Sequence, residues 1–200
     1  AQEYLLDISE RFGANLLGAS QAYLKFSAAS TQAGVSAEET QKIFTSVTKA
    51  SSILGLGAER TSYVFLALEQ IMSKGRLSTE ELRRQLGEHL PGAFGIMADA
   101  LSVTTAKLTD MLKKGEILST DALPKFARQI EKAYGIDKVE RIDNLAAAQE
   151  RFNSQLTLLT KDLDLSDAFK DLFNNLAEMA KWLAQNASGI VALTKVLFQL

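Results

Sequence analysis

The chain reads as an all-α protein, a multi-helix bundle of helical hairpins, on three observations. It has two prolines in 200 residues, its apolar residues recur at three-to-four spacing, and its glycines fall mainly where those periodic runs stop. The composition fits, with 46% hydrophobic and 23% charged residues and 22 basic against 24 acidic side chains, the balance of an ordinary globular protein. A chain this long buries roughly 70% of its unfolded surface as one domain, so it needs neither disulfide nor metal to fold.

The first helix is expected over about residues 3–31, with Leu5, Ile8, Phe12, Leu16, Ala19, Tyr23, Phe26 and Ala29 on one stripe. Gly13 and Gly18 inside it predict the close approach of another helix. Gly34 ends the element, and Ser36 with Glu39 three residues later forms a capping box that opens a second helix to about Leu54. A third helix runs from Ala58 to Lys74 and stops at Gly75 after a basic last turn.

From there the sequence repeats. Met72-Ser73-Lys74-Gly75-Arg76-Leu77-Ser78-Thr79-Glu80-Glu81-Leu82 returns about 40 residues later as Leu112-Lys113-Lys114-Gly115-Glu116-Ile117-Leu118-Ser119-Thr120-Asp121-Ala122-Leu123. In each copy Lys-Gly closes a helix, apolar residues tuck the connection inward, and Ser-Thr before an acid caps the next helix. Each copy therefore reads as a helix-turn-helix hinge, and two copies are too few for a solenoid. Between them, Leu90-Pro91-Gly92 places proline in the first turn of a short helix, and Val103-Thr104-Thr105 caps the helix ending at Lys114. Gly135 closes the helix that begins near Thr120.

Residues 1–135 thus form one helical domain, and 136–200 have a different character. Ile142, Leu145, Phe152, Leu156, Leu159 and Leu163 follow a 3-4 alternation broken by Gln149. After a Ser166 cap, the spacing resumes at Phe169, Leu172, Leu176, Met179, Leu183, Ile190, Leu193, Leu197 and Leu200, with Asn186 as the polar entry. Two arrangements satisfy this heptad-like seam, an antiparallel hairpin or a coiled coil between chains with Gln149 and Asn186 setting register. The apolar end at Leu200, and a beginning without Met or signal segment, lead us to expect that the long helices continue in a larger protein.

The sequence excludes more chemistry than it offers. With no cysteine, disulfide scaffolds, Cys-ligated zinc, iron–sulfur clusters and thiol nucleophiles are absent. His89 is the single histidine, which removes histidine-rich metal sites from this chain; at an expected helix end, its ring can meet free carbonyls. Counted over 1–60, 61–106, 107–141 and 142–200, no stretch departs from neutrality by more than two charges, which argues against a dedicated nucleic-acid surface. The two longest uncharged runs, Phe12 to Leu24 and Trp182 to Thr194, are 13 residues each, too short and too polar to span a bilayer.

Glu38 with Glu39, and Glu80 with Glu81, are adjacent and so diverge by about 100° on a helix, unlike a facing catalytic pair. Ser46-Val47-Thr48-Lys49 has Ser-x-x-Lys spacing without the motifs that accompany it in acyl-enzymes, and reads as an exposed helix turn. Arg83 and Arg84, balanced by Glu80, Glu81 and Glu88, read as a solvated helix face. Trp182, Phe169 and Phe173 lie on or beside the seam and suit packing. No phosphate-binding glycine loop is present. No residue is assigned a catalytic, cofactor-binding or metal-binding role, and no cofactor is expected.

One stretch carries more. Leu66-Ala67-Leu68-Glu69-Gln70-Ile71-Met72-Ser73-Lys74-Gly75, then Glu80-Glu81-Leu82-Arg83-Arg84-Gln85-Leu86-Gly87-Glu88-His89-Leu90-Pro91-Gly92-Ala93-Phe94, continues through Met97-Ala98, Leu108-Thr109-Asp110-Met111-Leu112-Lys113-Lys114-Gly115-Glu116 and Ala122-Leu123-Pro124-Lys125-Phe126-Ala127. This closely resembles the N-terminal domain of bacteriophage tail tape measure proteins over about 58–134, with Ser102 standing where that family usually has glycine.

The resemblance implies a structural, non-enzymatic protein held in the lumen of the tail tube, setting tail length during assembly in the host cytoplasm and released when DNA is delivered. Implied partners are the tail tube protein, tail assembly chaperones and other copies of itself, a trimer among the arrangements, with no sequence-specific nucleic acid. In some members contact with the host inner membrane or a protein in it follows ejection, through the periplasm. The signature residues Gly75, Glu81, Leu82, Gly87, Leu90, Pro91, Gly92, Gly115, Leu123, Pro124 and Phe126 carry over as structural. Two other readings stand beside it: a helical protein-interaction scaffold, and a membrane-active bundle with Trp182 to Leu200 as its apolar segment.

Overall fold

A computed structural model describes residues 2–163, 170–172, 174–179, 181–182 and 184–186. The architecture is all-α. The elements are α1 (Gln2–Phe12), α2 (Leu16–Gln32), α3 (Ala37–Ile53), α4 (Ala58–Lys74), a π-helical stretch π1 (Glu80–Leu86) running into α5 (Gly87–His89), α6 (Ala93–Ala100), α7 (Thr105–Lys114), α8 (Ser119–Ala133) and α9 (Leu145–Leu163). The chain divides into two units, 1–154 and 155–200, and α9 crosses from one to the next.

In the first unit α2 packs on α4, while α3 and α6 both pack on α8. An aromatic file ties the first four helices together: Tyr4 lies 5.3 Å from Tyr23, Tyr23 is edge-on to Phe44 at 5.1 Å, and Phe44 stacks on Phe65 at 4.2 Å. Such ring pairs add to what their buried area contributes. The Tyr4 hydroxyl donates to the Gln41 carbonyl at 2.9 Å, and burial pushes its phenol well above the ordinary range.

The single helix expected over 3–31 is two helices. Gly13 has φ 66°, a left-handed conformation that stops α1, and Asn15 restarts the chain by accepting the Gly18 N–H on its side chain at 2.9 Å. A methyl group at Gly13 would sit 2.3 Å from the Ala147 Cα, so the bend exists to admit α9. The approach expected at Gly13 is real; it breaks the helix rather than crossing a continuous one. At Gly18 a Cβ would first meet the Asn15 cap, 3.3 Å from its Oδ1, with Ser62 Oγ of α4 at 3.9 Å.

The second helix starts as expected, with Ser36 Oγ accepting the Glu39 N–H at 3.2 Å. The reciprocal half of the capping box is not made there, because the Glu39 carboxylate meets Arg128 of α8 at 3.4 Å. α4 has the expected bounds. Thr104 caps α7 by accepting the Lys107 N–H at 3.2 Å. Pro91 lies ahead of α6 rather than in its first turn. The Ala93 N–H bonds the Leu90 carbonyl at 3.2 Å and Gly92 has φ 74°, ψ 0°, so Leu90–Ala93 is a type II turn with Pro91 at its second position.

Residues 136–144 are an ordered link that buries Ile136 and Ile142, so Ile142 lies before the helix and not on its seam. α9 then shows the opposite face to the one the heptads suggest. Ala147 and Ser154 are buried, whereas Leu145 is 85% and Phe152 55% exposed. In the second unit, the described residues beyond α9 are helical and exposed, Leu172, Leu176, Met179 and Trp182 included. The Ser166 cap, Phe169, Phe173, Leu183 and 187–200 lie outside the described residues. No helix among the described residues is long and apolar enough to cross a membrane.

Candidate functional site

The two hinges of the repeat meet. Leu77 donates its N–H to the Ile117 carbonyl at 2.9 Å and Ser119 donates to the Gly75 carbonyl at 3.0 Å, which makes an antiparallel bridge between Arg76 and Leu118. Both turns are set by left-handed glycines, Gly75 at φ 72° and Gly115 at φ 64°, a conformation that costs other residues roughly 1–2 kcal/mol. Leu77 and Ile117 are both buried, and the Arg76 guanidinium donates to the Gly115 carbonyl. The helices α4, π1, α7 and α8 all begin or end at this junction.

The Ser-Thr pairs do not cap as the sequence suggests. Ser119 is fully buried with its hydroxyl 3.9 Å from Met72 Sδ, and the Ser78 hydroxyl donates to the Glu81 carboxylate. Leu118, expected to tuck inward, is 52% exposed. Glu81 is buried and receives Lys74 on its other oxygen. Burial opposes its charge, but hydrogen bonds from Lys74, Ser78 and its own backbone outweigh burial and hold its carboxyl below the usual range.

The signature residues surround this junction and its continuation. Leu82, on the inner side of π1, is buried. Gly87 closes the wide turn, donating its N–H to the Leu82 carbonyl five residues back, and a Cβ there would stand 3.1 Å from that oxygen. Leu90, Leu123 and Phe126 are fully buried in the core. The Pro91 carbonyl accepts the Tyr134 hydroxyl, whose acidity burial lowers, and Gly92 completes the turn. Pro124 lies inside α8, where it has no N–H to offer the Thr120 carbonyl.

The other candidates are structural in placement. Ser46 and Lys49 are buried, not exposed, and both reach Glu131 Oε1, at 3.0 Å and 3.6 Å. Lys49 also lies 5.3 Å from the Phe12 ring centre, so this motif ties α1, α3 and α8 together. Glu38 pairs with Lys42 at 2.7 Å, and that partner holds its carboxyl below the usual range. Glu80 pairs with Arg84 at 3.5 Å while Glu81 points inward, so those two acids do diverge and only one belongs to the solvated face. Arg83 lies over Phe94 at 3.8 Å.

His89 stacks on Tyr63 at 4.8 Å. The helix-end carbonyls expected to meet its ring are taken by Arg60, which donates to the Glu88 and His89 carbonyls at 3.0 Å each. Nothing local in the sequence marks Arg60, because its partners are 28 and 29 residues away. No group of histidines and carboxylates that could hold a metal ion occurs among the described residues.

A family model described as tape measure protein matches residues 1–141. A "Probable tape measure protein" of Salmonella phage Felix O1 (isolate Felix O1-VT1) is 28% identical over 181 residues, covering 88% of this chain and 24% of that protein. The chain thus spans about a quarter of the length of the curated relative it matches. No solved structure matches.

Proposed function

This chain belongs to the tape measure protein family, and from that premise we propose that it is a structural section of a phage tail ruler. In this reading it sets tail length with the tail tube protein and assembly chaperones, and leaves the tube when DNA is delivered. The observation that carries it is the match over residues 1–141. Support comes from where the signature residues lie: at helix stops, a type II turn and the core, positions that serve a scaffold rather than a reaction.

A ruler reads length along an axis, and an α-helix advances about 1.5 Å per residue. Residues 58–134 would therefore contribute up to about 115 Å if drawn out as helix along the tube, and far less as the bundle described above. The test is an in-frame deletion of 58–134 from the parent gene, with tail length measured by electron microscopy. Uniformly shorter tails are the expected result, and the size of the loss says whether the segment is extended. Absent tails make it an assembly or chaperone-docking element, and normal-length but non-infectious particles place its role in delivery. Normal infectious particles overturn the reading.

A further inference from the structure

α9 is docked the wrong way round for a permanent core helix. On α8 the buried face carries Leu123, Phe126 and Ile130, all fully covered. On α9 the buried positions up to residue 154 are Ala147 and Ser154, and Leu145 faces solvent. Small side chains suit the approach to the Gly13 bend but bury little apolar area, and apolar area is what makes helix docking durable.

Beside the buried Ile142 and Ala147, a set of polar contacts holds the segment. Asn15 Nδ2 donates to Glu150 at 3.0 Å, Ser9 Oγ lies 3.0 Å from Ser154 Oγ, and the Leu16 N–H donates to Ser154 Oγ at 3.1 Å. Asn144 donates to the Ser52 carbonyl at 3.0 Å, and the Ile142 N–H to the Arg11 carbonyl at 2.9 Å. Each such bond is replaceable by water when the segment lifts. Packing beneath it is also incomplete. A water-sized gap of about 30 Å³ lies between Asn15, Thr48 and Glu150, and a cleft of about 220 Å³ between Ser52, Leu56 and Gln149.

We propose that residues 140–154 are a latch that opens as a unit while α1 to α8 stay folded. Opening frees the Gly13 bend and uncovers the Ser9–Ser154 seat, and it requires no rearrangement of the core aromatic file. The inference depends on the docking chemistry alone and does not rest on the tail-length reading.

Backbone hydrogen exchange on the 200-residue chain tests it. Amides of 149–154 are expected to exchange at least 100-fold faster than those of 43–50 in α3, with little dependence on low denaturant, as a sub-global opening would. Because the chain has no cysteine, the variant Ser9→Cys with Ser154→Cys can be oxidised at one place only. Oxidation is expected to slow exchange in 149–154 to the α3 rate, and reduction to restore it. The proposal is overturned if 149–154 exchange at the α3 rate with the same denaturant dependence, since α9 is then part of one cooperative unit. It is equally overturned if the formed disulfide leaves their exchange unchanged, because those amides then open by fraying in place. Glu150→Ala, which removes the bond from Asn15 and leaves the Asn15 cap of α2 in place, should speed exchange in 149–154 and leave α3 unaffected; no change there would mean the polar contacts do not hold the latch.

Discussion

The two hinges share their punctuation but lead into different helices. After Gly75 the chain enters a π-helical turn and buries Glu81 against Lys74 and Ser78. After Gly115 it enters a regular α-helix, and Asp121 stays at the surface, pairing with Lys125 one turn on at 2.8 Å. Lys114 answers Lys74 in sequence yet, among the described residues, pairs with Glu116, at 3.9 Å. A Lys-Gly stop therefore specifies a turn, while the environment of the acid after it is decided by where the next helix must pack. The wide π turn shifts the residues after it relative to α-helical spacing, and such turns recur where a helix must present a side chain it would otherwise direct elsewhere.

The strongest way to break the equivalence of the hinges is to cut their shared core. Leu77→Ala and Ile117→Ala each remove a buried side chain and are expected to cost about 3 kcal/mol in urea unfolding. If the bridge makes one unit of the two turns, the double variant falls short of the sum, as contacting residues do. Strict additivity would mean the hinges are independent turns that merely lie close.

Next in size is the acid. Glu81→Gln is expected to cost about 2 kcal/mol through loss of two charge-assisted bonds, less than a fully buried pair because Lys74 remains more than half exposed. Asp121→Asn, an exposed i,i+4 pair, should cost no more than about 0.5 kcal/mol. The pH dependence separates them further. Glu81 has a depressed folded-state pKa, so its contribution is fully present above the ordinary glutamate range and is lost as pH falls through the depressed value. The stability gap between wild type and Glu81→Gln should close on acidification; a gap that persists well below the carboxylate range would mean that the carboxylate charge is not what stabilises the turn.

Smaller again is the turn conformation itself. Gly75 has open space where a Cβ would go, and Gly115 has only the Arg76 side chain at 3.7 Å. Gly75→Ala and Gly115→Ala should therefore each cost about 1 kcal/mol, from backbone conformation alone. Equal values from denaturant midpoints would show that the turns are the same device despite the different acids; a much larger loss at one would locate a contact the geometry does not reveal.

How far the sequence carries the reader depends on the range of the forces involved. Helix stops at Gly34, Gly75, Gly115 and Gly135, and caps at Ser36 and Thr104, are local events written in a few residues, and they stand where the sequence puts them. The Gly13 bend reads as a small residue inside a helix because its cause, Ala147, lies at the other end of the unit in sequence. Glu81 reads as a first-turn surface acid because nothing nearby says that Lys74 will reach back to it. The apolar seam of α9 is visible, but periodicity reports only that a helix has two faces. Which face docks is decided by the bend at Gly13, where only small groups fit. The two Lys-Gly stops are each legible, whereas the pairing of one hinge with the other is not, since it needs the bridge between Arg76 and Leu118.

A further effect of backbone conformation concerns a stop that lacks its glycine. α6 ends through Ser102, whose N–H bonds the Asp99 carbonyl at 3.0 Å, with Val103 bonding back to Ala98 at 3.0 Å, the closing pattern of a Schellman motif. Ser102 has φ 56° and is the one non-glycine with positive φ among the described residues. The left-handed penalty for serine exceeds the extra unfolded-state entropy that glycine brings, so Ser102→Gly should stabilise the chain by about 0.5–1 kcal/mol. The variant's urea midpoint should rise with an unchanged slope. A neutral or lower midpoint would show that the serine hydroxyl contributes to this turn, setting α6 apart from the two glycine-stopped hinges on either side of it.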